Sequence, residues 1–402
     1  MNNVLYITYD GINDPLGQSQ IAPYIEGLAG RNCNFYIISF EKNRSSNNYS
    51  FTNKFIFAWD KYKFTKRLFY IGKIFDYTRI LFYSLLNVKK NKISLIHSRG
   101  FVSGVVALVI FKIFKTKYLY DSRGLWVDER LDNNSLSKNT IFSNFIYKFL
   151  KKIERQVFSN AEQIIVLTFK VKKYLINNYN IKINKLTVIP CAADYKKFLK
   201  IKNADEIRQK LNIPKDNYVI SYNGSLTGVY QFYKMLEIFN KLNYYFKKTI
   251  FLIITNNNSY AELITIKNYR NLKKNIRIIN TSRENMPKYL SISNVDFFMI
   301  NPSFARMASF PTKFSESFAM NKPVICNSGV GDIDYYMNKY NLGILINQND
   351  KINKFYILRT YLKIKKINNN RNKTYNLFDL KVAIKRYKRI YLKILKNENS
   401  FN

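Results

Sequence analysis

The sequence predicts an α/β protein that consists of two doubly wound domains. Short apolar runs with the length of strands alternate with helical patterns along most of the chain, which is typical of parallel sheets covered by helices. An apolar strand, a glycine-containing loop and a helix follow one another from Val4 and again from Asn217. The 402 residues suffice for two domains, each with a core of its own.

The first domain opens with an apolar strand at Val4–Tyr9 and a loop at Asp10–Gly17. A helical pattern begins near Gln18, and a second strand follows at Asn34–Phe40. The loop lies at the carboxyl end of the first strand, where doubly wound sheets bind their ligands. A glycine in such a loop is a weak signal by itself, because many unrelated folds share it.

The segment Lys61–Lys92 is long, basic and rich in aromatic residues. Its apolar side chains fall near one helical face, and its lysines and arginines cluster elsewhere. This pattern predicts an amphipathic helix that could lie on an anionic membrane. The alternative is a helix that covers the sheet with a solvated polar face.

The next strand, Ile93–His97, is followed by Arg99 and by an apolar helix at Val102–Phe114. His97 is the single histidine of the chain, and a lone histidine at a strand end is expected to be structural. The strand Lys117–Tyr120 leads into a charged cluster, Asp121–Arg130, that includes a tryptophan. We interpret this cluster as part of a site, with a salt-bridged turn as the alternative.

The second domain opens with the strand Asn217–Tyr222 and a glycine-containing loop, Asn223–Gly228. Further strands alternate with helical patterns, including a short helix at Met286–Ile292. The strand Asp296–Ile300 leads to Asn301-Pro302-Ser303. The spacing Asp332-Ile333-Asp334 is interpreted as helix N-capping rather than as a metal site.

The stretch Phe310–Gly331 carries the strongest functional signal. It predicts a helix at Thr312–Met320 with Thr312 as its N-cap, followed by a buried strand at Val324–Cys326. A helix N-terminus with Lys313, and with Glu316 one turn later, suits a nucleoside diphosphate. The alternative is a surface helix whose lysine and glutamate are merely solvated.

The pattern Glu316-x-Phe318-Ala319-Met320-x-x-Pro323-Val324 resembles the nucleotide-sugar signature of glycosyltransferase family 4. The sequence VIPCAADYKKF, from Val188, resembles the interdomain linker of that family. The resemblance implies a GT-B fold of two Rossmann-like domains that face each other across a cleft. It also implies an acceptor domain at residues 1–195, a donor domain at 196–375, and a C-terminal helix at 376–402 that returns to the first domain.

The sequence departs from the family pattern at three positions. Arg123 stands where many members have a histidine, Ser225 stands at the position of an arginine, and Ala308 replaces the first glutamate of the double-glutamate motif. The chain therefore resembles a variant subgroup. The resemblance implies a retaining transferase, and the replacement at Ala308 removes the carboxylate that usually contacts the donor sugar in the family.

Residue pattern and resemblance together assign three sets of candidate residues. The candidate catalytic residues are Asp121, Arg123 and Lys313. The candidate donor-binding residues are Gly17, Gly224, Ser225, Ser303, Pro311, Thr312, Lys313 and Glu316. The candidate acceptor or cleft residues are Gln18, Arg99, Trp126, Asp128 and Glu129. No metal ligand and no cofactor are expected, and a nucleotide sugar would be a substrate.

Composition limits the possible partners. The net charge of +40 predicts an anionic partner such as a membrane surface, although a Lys/Asn/Ile-rich coding bias is an alternative. The three cysteines lie far apart and have no metal-type spacing. Neither a signal peptide nor a membrane-spanning segment is recognised, so a cytoplasmic protein at the inner face of the membrane is expected.

Three functions remain open from the sequence. The first is a hexosyltransferase that moves a sugar from a nucleotide sugar to a lipid-linked or saccharide acceptor in surface polysaccharide or glycolipid synthesis. The second is a nucleotide-sugar epimerase of the same fold, which a single histidine fits poorly. The third is a catalytically impaired scaffold or anion-binding protein. Nucleic acid is not an expected partner, because no known motif for it is present.

Overall fold

A computed structural model describes residues 2–41, 49–65, 71–132, 140–199, 204–347, 350, 352–367 and 370–396. The chain divides into two compact units. The first unit comprises Met1–Pro190, Met307–Ser309 and Leu380–Asn402, and the second comprises Cys191–Arg306 and Phe310–Asp379.

The described part of the first unit contains a parallel sheet of seven strands in the order β3-β2-β1-β4-β5-β6-β7. The strands are β1 (Asn2–Thr8), β2 (Cys33–Glu41), β3 (Ile56–Lys63), β4 (Ile93–Arg99), β5 (Lys117–Asp121), β6 (Gln163–Val166) and β7 (Leu186–Val188). The inner strands are apolar and buried, as expected where helices cover both faces of a sheet.

Eight described helices belong to the first unit. They are α1 (Pro15–Gln20), α2 (Ala22–Leu28), α3 (Ile71–Lys90), α4 (Phe101–Phe114), α5 (Trp126–Asp132), α6 (Ile141–Asn160), α7 (Phe169–Tyr179) and α16 (Leu380–Lys396). The predicted apolar helix is confirmed as α4. None of the described helices is both long and apolar enough to span a membrane.

The described part of the second unit contains a parallel sheet of six strands in the order β10-β9-β8-β11-β12-β13. The strands are β8 (Tyr218–Asn223), β9 (Thr249–Ile254), β10 (Ile276–Ile279), β11 (Val295–Phe298), β12 (Val324–Asn327) and β13 (Gly343–Ile346). The helices are α8 (Ala204–Lys210), α9 (Phe232–Tyr245), α10 (Asn258–Asn268), α11 (Met286–Ser291), α12 (Thr312–Ala319), α13 (Ile333–Tyr340), α14 (Lys354–Lys365) and α15 (Asn370–Phe378). The prediction of two parallel α/β domains is confirmed.

Each sheet has one point at which the strand order reverses. In the first unit it lies between β1 and β4, and in the second between β8 and β11. Ligands of doubly wound sheets bind at such a switch point, outside the carboxyl ends of the strands. The loops that follow β1, β4, β8 and β11 are therefore the first places in which to look for a site.

The prediction of one long helix over Lys61–Lys92 is wrong in its first part. The strand β3 ends only at Lys63, and α3 covers Ile71–Lys90; residues 66–70 lie outside the described residues. Alternate residues of β3 are exposed because it is the edge strand of the sheet. An edge strand with charged and aromatic residues lacks the continuous apolar run of an inner strand.

The helix α16 contributes to the core of the first unit. Tyr387 and Tyr391 are buried, and the Tyr391 hydroxyl lies 2.6 Å from His97 Nδ1. Burial lowers the pKa of His97, although Asp121 beside it opposes this shift. A neutral histidine held between buried side chains agrees with the structural role expected from the sequence.

Candidate functional site

Lys313 lies near the switch point of the second unit, in the first turn of α12. Its side chain is buried, with 7% of the residue exposed. Its Nζ lies 4.2 Å from the ring centre of Tyr222 and 3.8 Å from that of Tyr230. It has no hydrogen-bond partner among the described residues. The two rings favour a cation, but they do not replace the hydrogen bonds that an ammonium group makes in water.

The electrostatics of Lys313 follow from this burial. Burial lowers the pKa of Lys313 to about 7, although Glu316 and Asp296 oppose the shift. The ammonium group is therefore easily discharged in the ligand-free protein. An anion that reached Nζ would restore its charge and provide the missing hydrogen bonds.

Gly224 brings the backbone close to this ammonium group. It follows β8 with a φ of +130°, a conformation that favours glycine. A Cβ atom built at Gly224 would lie 2.9 Å from Lys313 Nζ. A side chain at residue 224 would therefore occupy the space beside the lysine, and glycine leaves that space to a ligand.

Glu316 lies one turn after Lys313 and is also buried, at 2% exposure. It accepts a hydrogen bond from Asn223 Nδ2 at 3.3 Å and forms an ion pair with Arg283. Arg283 follows β10 and keeps 23% of its side chain exposed. Arg283, Tyr222 and Tyr230 were not predicted from the sequence. Arg283 was recognisable as a cation just beyond the carboxyl end of the strand-like run Ile276–Ile279.

The remaining donor-site candidates in the second unit lie on loops. Ser225 follows Gly224 and is exposed, and its backbone carbonyl accepts a hydrogen bond from the Tyr222 hydroxyl. Ser303 follows β11, and its Oγ accepts a bond of 3.4 Å from the Arg306 amide. Both serines therefore lie beyond the carboxyl ends of the two strands that border the switch point.

One capping prediction is wrong, and a second is right in position only. The N-cap of α12 is Pro311, and Thr312 is already the first helical residue, because proline fixes the φ that suits a helix entrance. Asp332 is the N-cap residue of α13, as predicted, but its side chain makes no capping hydrogen bond. Asp334 instead accepts hydrogen bonds from the Gly329 amide at 3.2 and 3.3 Å.

In the first unit, a buried carboxylate holds the loop after β1. Glu41 accepts hydrogen bonds of 3.0 Å from the amides of Ile12 and Asn13. Within the same loop region, Gln18 Nε2 donates to the Asn13 carbonyl at 3.1 Å. Gly17 packs against the backbone, since a Cβ atom there would lie 2.1 Å from the Gly11 carbonyl oxygen. The fixed shape of this loop depends on Gly17 and Glu41.

We expect Gly17→Ala to lower the free energy of unfolding by about 1–3 kcal/mol, because the added methyl group forces the loop backbone to move. Urea unfolding followed by circular dichroism measures this change. Gly30→Ala is the matched control, since a Cβ atom at Gly30 meets nothing within 4 Å. A Gly17→Ala protein as stable as the Gly30→Ala protein would contradict this packing.

Asp121 lies at the end of β5 in a buried cluster of charged groups. It is 1% exposed and accepts bonds from Arg99 at 3.2 Å, from Arg123 at 3.3 Å and from the Tyr387 hydroxyl at 3.1 Å. Burial alone would raise the pKa of Asp121. The neighbouring Arg123, His97 and Arg99 outweigh burial and hold the pKa of Asp121 well below its usual range. The Asp121 carboxylate is thus an ionised group that orients two arginines.

The other candidates of the charged cluster have further contacts of their own. Trp126 stacks on Phe101 with ring centres 4.8 Å apart. Asp128 is buried and bonds Tyr147 and Lys151, each at 2.8 Å. Glu129 lies over Gly124, where its Oε1 would be 2.6 Å from an added Cβ atom. The structure therefore places Asp121, Arg99 and Arg123 together and gives Asp128 partners on α6.

The described residues contain no group of three histidine, cysteine, aspartate or glutamate side chains that could hold a metal ion. The prediction that the reaction needs neither metal nor cofactor stays a prediction.

Two family models match the chain, one in each half. Residues 23–197 match the model described as glycosyltransferase family 4. Residues 203–373 match the model described as glycosyl transferases group 1. A comparison with curated proteins found no match.

Solved structures of glycosyltransferases share the fold over nearly the whole chain. Sucrose-phosphate synthase from Thermosynechococcus elongatus is 17% identical with a TM-score of 0.72, covering 99% of this chain and 100% of that one. Anabaena HepE in complex with UDP and glucose is 13% identical with a TM-score of 0.70, covering 98% and 100%. WaaG, a glycosyltransferase involved in lipopolysaccharide biosynthesis, is 13% identical with a TM-score of 0.67, covering 96% and 99%. Identities this low show the fold alone.

Proposed function

Since the chain belongs to the glycosyltransferases, with a family 4 domain followed by a group 1 domain, we propose that it transfers a sugar from a nucleotide sugar to an acceptor hydroxyl. The observation that carries this proposal is Lys313, a buried lysine beside Gly224 whose Nζ has no hydrogen-bond partner among the described residues. A diphosphate is the anion that a group 1 domain would bring to it. HepE, which shares the fold, was solved with UDP.

The residues around Lys313 suit the rest of a nucleoside diphosphate sugar. The Arg283 guanidinium, held by Glu316, adds a second cation for the phosphates or the base. The Glu316 carboxylate can accept hydrogen bonds from sugar or ribose hydroxyls. Pro311 and Thr312 form the N-terminus of α12, where free backbone amides can bind phosphate. Ser225 and Ser303 lie beyond the ends of β8 and β11. We assign the second unit to the donor.

We assign the first unit to the acceptor. Arg123 keeps 14% of its side chain exposed while Asp121 is buried, so Arg123 is the member of the cluster that can reach a ligand. Asp121 and Arg99 are then positioning residues rather than catalytic ones. The loop with Gly17 and Gln18 and the exposed edges of Trp126 and Glu129 would shape the acceptor site.

The chemistry needs little beyond orientation and charge stabilisation. The bond between the anomeric carbon and the diphosphate oxygen breaks as the acceptor oxygen bonds to that carbon. The acceptor proton passes to an oxygen of the leaving diphosphate, whose charge Lys313 stabilises. Attack on the face that the diphosphate leaves would retain the anomeric configuration. No metal ion takes part in this proposed step.

The acceptor is proposed to be lipid-linked, or a saccharide of a surface polysaccharide, at the cytoplasmic face of a membrane. The net charge of +40 favours an anionic surface and a phosphate-bearing acceptor. WaaG, of the same fold, is involved in lipopolysaccharide biosynthesis. The donor sugar and the linkage are left to experiment.

A donor screen tests the proposal. Purified protein and a membrane lipid extract are incubated with UDP-, GDP- and other nucleotide sugars, and release of the nucleotide is measured. We expect release with one donor class, dependent on lipid, and a fall of roughly 100-fold in Glu316→Ala. Lys288→Ala, at an exposed lysine of α11, is the control and should keep full activity.

Two results would contradict the proposal. A new nucleotide sugar formed without nucleotide release would identify an epimerase. Absence of both release and nucleotide binding across the panel would favour a scaffold that has lost catalysis. Both results would leave the fold unchanged.

A further inference from the structure

Three neighbouring helices of the first unit form one layer. The helix α4 packs against α3 and against α6. Side chains link the outer surfaces of the layer: Lys89 Nζ of α3 lies 5.5 Å from the ring centre of Phe114 in α4. Lys112 of α4 donates a hydrogen bond of 3.2 Å to Gln156 Oε1 in α6. The exposed sides of the three helices therefore belong to one continuous surface.

This surface is unusually apolar. The first half of α6 exposes Ile141 at 94% and Phe142 at 74%, at positions where a surface helix ordinarily has polar residues. The exposed large apolar side chains of the layer are Ile74, Phe75, Phe82, Leu86, Ile113, Ile141, Phe142, Phe145 and Phe149. We call this set the apolar face. An exposed apolar set of this size indicates a docking surface.

The exposed charges of the three helices all have one sign. The two carboxylates of the three helices, Asp76 and Glu154, are each 1% exposed. The exposed charged residues of these helices are Lys73, Lys89, Lys90, Lys112, Lys148, Lys152 and Arg155. The surface thus combines exposed rings and aliphatic side chains with cations and without an exposed carboxylate.

We propose that the apolar face docks on an anionic lipid bilayer, with the rings and aliphatic side chains below the headgroups and the lysines among them. Apolar burial and attraction to anionic lipid act together in such binding. A second copy of the chain fits poorly, because two faces with only exposed cations repel each other. The bases of a nucleic acid could stack on the exposed rings. A nucleic acid has no apolar surface that would pack against Ile74, Ile113 or Ile141.

The proposal deepens the proposed function, since a lipid-linked acceptor would be met at the bilayer. Docking itself rests on the surface alone and requires no glycosyl transfer. The membrane contact predicted from the sequence lay only in the segment Lys61–Lys92, whereas α6 contributes the most exposed apolar residues of the apolar face.

Vesicle co-sedimentation of the full chain tests the proposal. Vesicles of phosphatidylcholine mixed with phosphatidylglycerol are compared with vesicles of phosphatidylcholine alone. We expect wild type to bind the mixed vesicles, and the variant Phe142→Ser/Phe145→Ser/Phe149→Ser to bind them roughly tenfold or more weakly. When salt is added, the variant Lys148→Glu/Lys152→Glu should dissociate from mixed vesicles at a lower salt concentration than wild type does.

The matched control is Leu358→Ser/Leu362→Ser on α14 of the second unit, where both leucines are exposed. It should bind vesicles like wild type. Titration with UDP checks that the triple variant is folded and keeps its donor site, so that failure of docking and failure of the donor proposal are distinguishable.

Each of four results would overturn the proposal. Wild type could fail to bind mixed vesicles, or the triple variant could bind them as wild type does. The control could lose as much binding as the triple variant. The triple variant could abolish a concentration-dependent dimer of wild type, which would assign the face to a second copy.

Discussion

Replacing Lys313 by methionine should abolish most donor binding while making the ligand-free protein more stable. Methionine keeps the apolar stem between Tyr222 and Tyr230 but removes the ammonium group. Loss of charge-assisted hydrogen bonds to a diphosphate should weaken UDP binding by roughly 10–100-fold. Isothermal titration with UDP measures this loss, and Lys288→Met is the control that should bind UDP like wild type.

The gain in stability follows from the lowered pKa of Lys313. In the folded protein this pKa is about 7, whereas an unfolded lysine titrates near about 10.4. The unfolded chain therefore binds more protons between these values, and the stability of wild type rises with pH across that window. Lys313→Met should be more stable by about 3 kcal/mol at pH 8, and the difference should shrink towards pH 10. Urea unfolding at several pH values measures it. Equal stability of the two proteins at pH 8 would show that Lys313 is solvated.

Replacing Asp121 by asparagine should cause the largest loss of stability. The substitution leaves Arg99 and Arg123 beside a neutral group in a buried cluster. Removal of one partner from a buried ion pair destabilises proteins by about 3–5 kcal/mol. The free energy of unfolding from urea titration gives the value. Asp205→Asn is the control: its ion pair with Lys215 is exposed, so it should change stability by less than about 0.5 kcal/mol.

The pH dependence provides a second check on Asp121. Its folded pKa lies below its unfolded value of about 3.9. Its contribution to stability is therefore complete above that value and is lost as the pH falls through the folded pKa. The difference in stability between wild type and Asp121→Asn should narrow below pH 4. A difference that stays constant down to pH 2 would contradict an ionised buried carboxylate.

The fold was predictable because local pattern and tertiary structure agree. The inner strands β1, β4, β8 and β9 are short apolar runs, which are typical of parallel sheets whose strands are buried on both faces. The edge strand β3 was missed because alternate exposure and charge hide its strand character. The segment Lys61–Lys92 also contains α3, whose helical spacing of aromatic residues made the whole segment resemble one helix.

The candidate site was predictable only where its residues are close in sequence. Lys313 and Glu316 lie one helical turn apart, so a single motif contains both. Arg283 and Tyr230 reach the same place from other strand ends, and their contacts depend on the order of strands in the sheet. Asp121 was predicted from the sequence as a site residue. Only the structure shows that it is buried between two arginines and a tyrosine of α16.

The proposed donor site depends most on Lys313 as the cation that binds the donor diphosphate. Titration with UDP at pH 8 in buffers of different ionisation enthalpy counts the protons that the complex takes up. Because Lys313 is mostly neutral in the free protein at that pH and charged beside a diphosphate, we predict uptake of roughly one proton by wild type and none by Lys313→Met. Tight binding without proton uptake, or equal uptake by the variant, would contradict this role of Lys313.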